Sequence, residues 1–299
     1  MPRNVRLTMV TIHNTMRSLA ERRAENLELI DKAGREGSDI VLLPEMCDHH
    51  RTTEAVDAYY KGGKPAVLEK ISLTMDSPWV REVSSLACKY KMVVVPCIPR
   101  REEGGGDKMW NSSVVFGPDG KVLGKYDKTH LPPGEEKNFE RGQSFEPIAT
   151  PFGKLGILTC WDIYFPEIIR VYQLKGADLL LWPTMPHGQF SREIYAALLP
   201  SYCITTGLPL GVATYAVDNH LRNRSVMNST IYDSAGHILA STNLEASSLT
   251  RATLDLDHKP LIPRDWDSLP DTLSFPALLQ SHRRPELYAA LTEKSEARS

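Results

Sequence analysis

Three side chains of different chemistry stand where apolar runs of this 299-residue chain end. Cys160 closes the run LGILT, Glu45 follows DIVLL and a proline, and Lys128 lies in KYDKTHL just past a hairpin strand. A thiol near the start of a helix and beside a lysine has its thiolate favoured. Attack of that sulfur on a carbonyl carbon creates a tetrahedral species, whose new charge a cation can hold. One carboxylate can then give a proton to the leaving nitrogen and take one from the water that cleaves the thioester. Cys, Lys and Glu are thus sufficient to break a C–N bond with no metal and no cofactor.

Each of these residues also has an ordinary reading. A free cysteine is commonly a small core residue, which suits Cys88, Cys97 and Cys203 inside apolar patterns. Cys160 differs, because polar Asp162 and a helix start follow it at once. A glutamate after a strand is ordinarily solvated, and a lysine after a hairpin is ordinarily a surface charge. It is the joint placement of the three at strand ends, where open α/β folds bind ligands, that points to chemistry. Two rivals use other residues. His130, two positions after Lys128, could serve as base in a Cys–His hydrolase, but Glu45 already fills that role. CDHH at 47–50 offers four metal-ligand types. Neighbours along a loop rarely face one ion, however, and no HxxxH or CxxC partner exists, so no metal is expected. This loop follows Glu45 directly and puts His49 or His50 at a pocket rim.

The elements that must position these groups are written twice. GSDIVLLPE (37–45) and GADLLLWPT (176–184) share Gly, a small residue, Asp, an apolar run and Pro. Each reads as a helix end leading into a short buried strand. NSSVVFGPDGKVLGK (111–125) and NSTIYDSAGHILAS (228–241) each read as a β-hairpin. Strands are expected near 5–12, 39–43 and 92–98 in the first half and near 154–159, 178–183 and 209–216 in the second. Helices are expected near 16–35 and 77–90, then near 166–175 and 191–206. This alternation implies parallel crossovers. The expected fold is therefore α/β, a four-layer αββα sandwich of two duplicated, mostly parallel-sheet halves. The alternative is one doubly wound sheet. Residues 1–256 read as a single domain. Residues 257–299, rich in Pro, Trp and charge, read as a C-terminal arm lying on the domain or on a partner subunit.

Composition narrows the partner. The chain is 41% hydrophobic and carries 35 Lys and Arg against 37 Asp and Glu, for a net charge of -2. With no run of like charge, neither nucleic acid nor an anionic membrane is expected, and a small-molecule substrate is. No apolar run approaches the ~20 residues of a spanning helix, and the N-terminus lacks a signal peptide's apolar block. A cytoplasmic location is the expectation. Five scattered cysteines argue against a disulfide scaffold or a structural zinc site.

The motifs LLPE ending at Glu45, KYDKTHL around Lys128 and LTCWDIYFPE around Cys160 stand in one order over nearly the whole chain. In these the sequence resembles the nitrilase, or carbon–nitrogen hydrolase, superfamily, which is built on an αββα sandwich and uses a Glu–Lys–Cys triad. The resemblance implies that Cys160 is the nucleophile, Glu45 the general base and acid, and Lys128 the stabiliser of the tetrahedral intermediate. It implies a second glutamate after the lysine motif, Glu135 by spacing or Glu136 by a one-residue slip. Nitrilases typically carry Cys-Trp-Glu where this chain has Cys160-Trp161-Asp162, so an amidase or carbamoylase is favoured over a nitrilase. A non-catalytic binding protein on the same fold would be expected to have lost one of the three groups. Trp161, Tyr164, Met185 and His187 cluster past two strand ends as candidates to bind substrate. Tyr164 stands where many members have Arg, and residues 201–216 lack the common Arg-Ala-x-Glu-Asn pattern. By the same resemblance, and from the arm-like C-terminus, a homodimer or larger homo-oligomer is expected.

Overall fold

The computed structural model describes residues 3–185, 192–216, 227–242, 246–261 and 273–293. Strand β1 (Asn4–His13) alternates strictly, with Val5, Leu7 and Met9 on one face and Val10 and Ile12 on the other. Helix α1 (Leu19–Arg35) starts at Ser18. That side chain accepts from the Glu21 amide, and the Glu21 carboxylate accepts from the Ser18 amide. Two of the helix's orphan donors are thereby satisfied. Next come β2 (Ile40–Leu42), the short helices α2 (Thr53–Asp57) and α3 (Gly63–Lys70), and α4 (Pro78–Tyr90) with proline in its first turn. Strands β3 (Val93–Val95), β4 (Cys97–Arg101), β5 (Met109–Phe116) and β6 (Val122–Asp127) complete the first half.

The second half repeats the plan with β7 (Ile148–Thr150), β8 (Gly153–Ile157), α5 (Pro166–Leu174), β9 (Leu179–Pro183), α6 (Arg192–Thr206) and β10 (Leu210–Ala213). It ends in β11 (Tyr215–Ala216), the hairpin β12 (Thr230–Tyr232) and β13 (Ile238–Ser241), then β14 (Ser248–Asp255) and α7 (Phe275–Ser281).

The chain forms two sheets, as the repeated pattern implies. In the first, β1, β2 and β3 run parallel, with β5, β4 and β6 antiparallel at one side. In the second, β8, β9 and β10 run parallel between antiparallel edges. Alternation within the central strands divides the core into layers. Ile40, Leu42, Leu179 and Leu181 meet between the sheets, whereas Val41, Leu43 and Val94 lie under α1 and α4. Leu180, Trp182, Leu210 and Val212 lie under α5 and α6. Each such apolar side chain contributes roughly 1.5–3 kcal/mol by leaving water. The sheets approach closely at Gly211, where an added Cβ would lie 2.8 Å from the Met9 sulfur.

Two parts were not read from the sequence. Strand β14 returns to the first sheet and pairs antiparallel with β1 from Asn4↔Asp255 to Thr11↔Ser248. Helices α2 and α3, with the π-helical turn Ala58–Gly62 between them, form a cover whose Ala55, Ala58 and Val67 pack with Met46, Met109, Leu131 and Phe139. Of the C-terminal segment, Asp257 pairs with Arg3, Lys259 Nζ donates to the Gly207 carbonyl at 2.7 Å, and α7 packs on α6.

Candidate active site

Each of the three groups is delivered by a strand that stops and turns. Beyond β2, Leu43 N still donates to the Val95 carbonyl, then Met46 adopts φ +53° and Cys47 N bonds the Cys97 carbonyl. Glu45 is held at this corner, its own carbonyl accepting from the Tyr215 hydroxyl at 2.7 Å. Lys128 follows β6 and remains clamped, donating its N–H to the Asn111 carbonyl and accepting from Gly142 N, both at 2.9 Å. Cys160 follows β8 with φ +48°, a left-handed conformation unusual for a residue with a Cβ. The Trp182 indole donates to the Cys160 carbonyl at 3.1 Å and holds that turn.

Side chains from both sheets converge here. Glu45 Oε1 accepts from Lys128 Nζ at 2.9 Å and from Asn111 Nδ2 at 2.8 Å, while Oε2 accepts from Met185 N at 3.1 Å. Lys128 Nζ also donates to Glu135 Oε2 at 2.6 Å, and Asn111 Nδ2 to Glu135 Oε1 at 2.9 Å. The Cys160 sulfur lies 4.0 Å from the Met185 carbonyl, and the amide of that same residue is the one that donates to Glu45. Glu45 and Lys128 are only 3% and 1% exposed, so water does little to screen these charges.

The electrostatics follow from that burial. Desolvation pulls the Lys128 pKa down, but Glu45, Cys160 and Glu135 together outweigh it and hold the ammonium well above its ordinary value. Burial raises the Glu135 carboxyl, opposed by Lys128 and reinforced by Glu45. Burial and then the adjacent Glu45 charge push the Cys160 thiol up, against the smaller pull of Lys128. Both effects work against the thiolate that the sequence suggests, so the half-buried sulfur favours its protonated form.

Asp162, buried in the turn after Cys160, ties the parts together. Its carboxylate accepts from Thr159 N at 2.9 Å, His130 N at 3.0 Å, the Thr129 hydroxyl at 3.0 Å and the Tyr126 hydroxyl at 2.7 Å. The loop that carries Lys128 is therefore fixed to the turn that carries Cys160. His130 Nδ1 also lies 2.9 Å from Asp162, and its ring stacks on Phe165 at 3.7 Å. That placement turns His130 to Asp162, not to the thiol as a base. The CDHH side chains diverge: Asp48 pairs with His49 and Arg23, and His50 Nε2 reaches Asn14. Among the described residues, no three His, Cys, Asp or Glu gather around one point.

The remaining expected residues fall as follows. Glu135 lies on Lys128, whereas the Glu136 carboxylate turns back to accept from Gly134 N at 2.7 Å. Trp161 and Tyr164, both partly exposed, meet edge to face at 5.0 Å, and the Tyr164 hydroxyl bonds that of Tyr195. Met185 is partly buried and reaches the site through its backbone. His187 lies outside the described residues. Sequence reasoning passed over Asn111 and the Met185 amide, and noted Asp162 without giving it a positioning role. Asn111 and Asp162 are polar residues on apolar elements, a signal that was available; a backbone amide leaves no trace in residue type.

Comparison with known proteins agrees with this fold. A family model described as carbon–nitrogen hydrolase matches residues 6–259. A Schizosaccharomyces pombe protein named as a probable nitrilase is 30% identical over 85% of this chain and 85% of its own length. A Francisella tularensis citrullinase is 27% identical over 97% of this chain and 99% of its own. The solved structure of a carbon–nitrogen hydrolase from Helicobacter pylori superposes with a TM-score of 0.72 at 22% identity, covering 98% of this chain and 99% of that one.

Proposed function

The chain belongs to the carbon–nitrogen hydrolase family, and we propose that it cleaves the amide or N-carbamoyl C–N bond of a small molecule through a thioester on Cys160. The observation that carries this reading is the convergence of Cys160, Glu45 and Lys128: Glu45 accepts from Lys128 at 2.9 Å and from the amide of Met185, whose carbonyl lies 4.0 Å from the Cys160 sulfur. In the first step the Cys160 sulfur bonds to the carbonyl carbon while its proton passes to Glu45. The oxyanion that forms is held by the Lys128 ammonium, which is already desolvated and aimed. Glu45 returns the proton to the leaving nitrogen, the C–N bond breaks, and the amine or ammonia departs. Water then attacks the thioester and yields a proton to Glu45; collapse expels the sulfur, which takes that proton back. Glu135 shares Lys128 and keeps the ammonium between two carboxylates. No metal or cofactor enters these steps, and the oligomeric state and cytoplasmic location remain part of the proposal.

Two points favour an amide or carbamoyl substrate over a nitrile. Cys160-Trp161-Asp162 stands where nitrilases typically carry Cys-Trp-Glu. The citrullinase acts, by its name, on citrulline, whose side chain ends in an N-carbamoyl amine. The test is ammonia release across a panel of small amides, N-carbamoyl amines and nitriles. Turnover of amides or carbamoyl compounds, abolished in Cys160→Ala, is expected. Turnover of nitriles alone would overturn the substrate class.

A further inference from the structure

We infer that Asn111 is a positioning residue, whose side-chain amide holds Glu45 and Glu135 in one arrangement around Lys128. The inference rests on the proposed function for its kinetic reading and on geometry for its substance. Asn111 is fully buried on β5, so its amide must find all its partners within the protein. Nδ2 donates to Glu45 Oε1 at 2.8 Å and to Glu135 Oε1 at 2.9 Å, and so uses both of its hydrogens. The opposite end, Oδ1, accepts from the buried Cys97 thiol at 3.2 Å. These partners fix which way the amide points. Two carboxylates accept and do not donate, so the NH2 must face them, while a thiol on the other side donates to the oxygen.

Lys128 spans the same two carboxylates through Glu45 Oε1 and Glu135 Oε2. One cation and one neutral amide therefore cross-link a pair of like charges that would otherwise repel. A lysine alone is a flexible point charge and fixes distance poorly. The amide adds a planar, rigid link and a further donor to each carboxylate at no change in net charge. Loss of that donor withdraws stabilisation from the negative charge that the two carboxylates and Lys128 share, so the acid limb of activity should begin at higher pH.

The experiment compares Asn111→Ala and the isosteric Asn111→Asp with the parent protein. Hydrolysis of the best substrate in the panel is followed as kcat and KM against pH. Iodoacetamide labelling of Cys160 is followed separately against pH by mass spectrometry of the peptide that contains it. The expected result for Asn111→Ala is a fall in kcat of about tenfold or more, the size of one lost hydrogen bond to a charged group, with little change in KM. The acid limbs of both profiles should move up by about one pH unit. Asn111→Asp keeps the shape but turns a donor into an acceptor, and should lose more activity than Asn111→Ala. If either variant fails to fold by circular dichroism, Asn111→Ser, which keeps one donor, takes its place and should give a smaller upward move. Unmoved acid limbs in a folded variant, or an Asn111→Asp protein as active as the parent, would overturn the inference. A shifted labelling limb in a protein that hydrolyses none of the panel would sustain the positioning role and sink the proposed function instead.

Discussion

The two halves of the molecule use the same strand end in different ways. In the first half, GSDIVLLPE forms β2 and brings the Glu45 side chain to the site. In the second, GADLLLWPT forms β9, and what arrives is the backbone: Met185 N donates to Glu45 Oε2 and the Met185 carbonyl lies 4.0 Å from the Cys160 sulfur. The hairpins differ likewise. The first is followed at once by Lys128, whereas the second ends in Ser241 and Thr242, with Thr242 hydrogen-bonded to Thr250. Repetition supplies a common scaffold of parallel strands ending at one place. Chemistry then comes from residues the copies do not share. Strand ends suit this because carbonyls and amides there have left the sheet ladder and become free to bind something else.

Of the repeated elements, breaking those that deliver a side chain should cost most. Glu45→Gln removes the proton carrier and should lower kcat by about 10²–10⁴-fold. Lys128→Ala removes the charge that meets the oxyanion and should cost about 10²–10³-fold in kcat. It also leaves Glu45 and Glu135 buried without their cation, which destabilises by about 3–5 kcal/mol, measurable as a lower denaturation midpoint. A near-normal rate in either variant would remove that residue from the mechanism.

The link between the halves comes next. Asp162→Ala frees the Lys128 loop from the Cys160 turn and should cost about 10- to 100-fold in kcat, the scale of several lost hydrogen bonds to a charge. A loss confined to KM would show that Asp162 touches substrate instead. The smallest effect belongs to the strand end after β9, which delivers backbone. Met185→Ala keeps the amide that serves Glu45, so kcat should fall by no more than about threefold, a change under 1 kcal/mol. A hundredfold fall would mean that the side chain takes part.

The proton on Cys160 sharpens the same contrast. Burial and Glu45 both raise this thiol, so the resting enzyme should show no thiolate absorbance at neutral pH. Glu45→Gln removes the like charge and should bring the thiol's titration to lower pH than in the parent. Ultraviolet difference titration against Cys160→Ala reads both. A thiolate already formed at neutral pH in the parent would contradict the assignment of Glu45 as the proton's acceptor.

Much of this was legible in the residues, for identifiable reasons. The repeated Gly-x-Asp strand motif and the helical spacing of PEIIRVYQL gave the parallel units, because apolar period and turn residues are local properties. Strand β14 was passed over although SLTRATLD alternates, since its partner β1 lies at the other end of the chain and pairing over that distance leaves no local mark. The cover formed by α2 and α3 went unread because Thr53–Asp57 is short and α3 is only weakly amphipathic. At the site, Glu45, Lys128 and Cys160 could be named from position, but the state of the sulfur could not. That state depends on how far burial and Glu45 outweigh Lys128, a balance of distances that no motif states.

The most direct test is the mass of the peptide containing Cys160 after rapid acid quench during turnover of a small amide or N-carbamoyl compound. An added mass equal to the substrate's acyl group, on Cys160 alone and removed by hydroxylamine, is the result this account predicts. Turnover with the acyl group on another residue, or sustained hydrolysis by the Cys160→Ala protein, would contradict it.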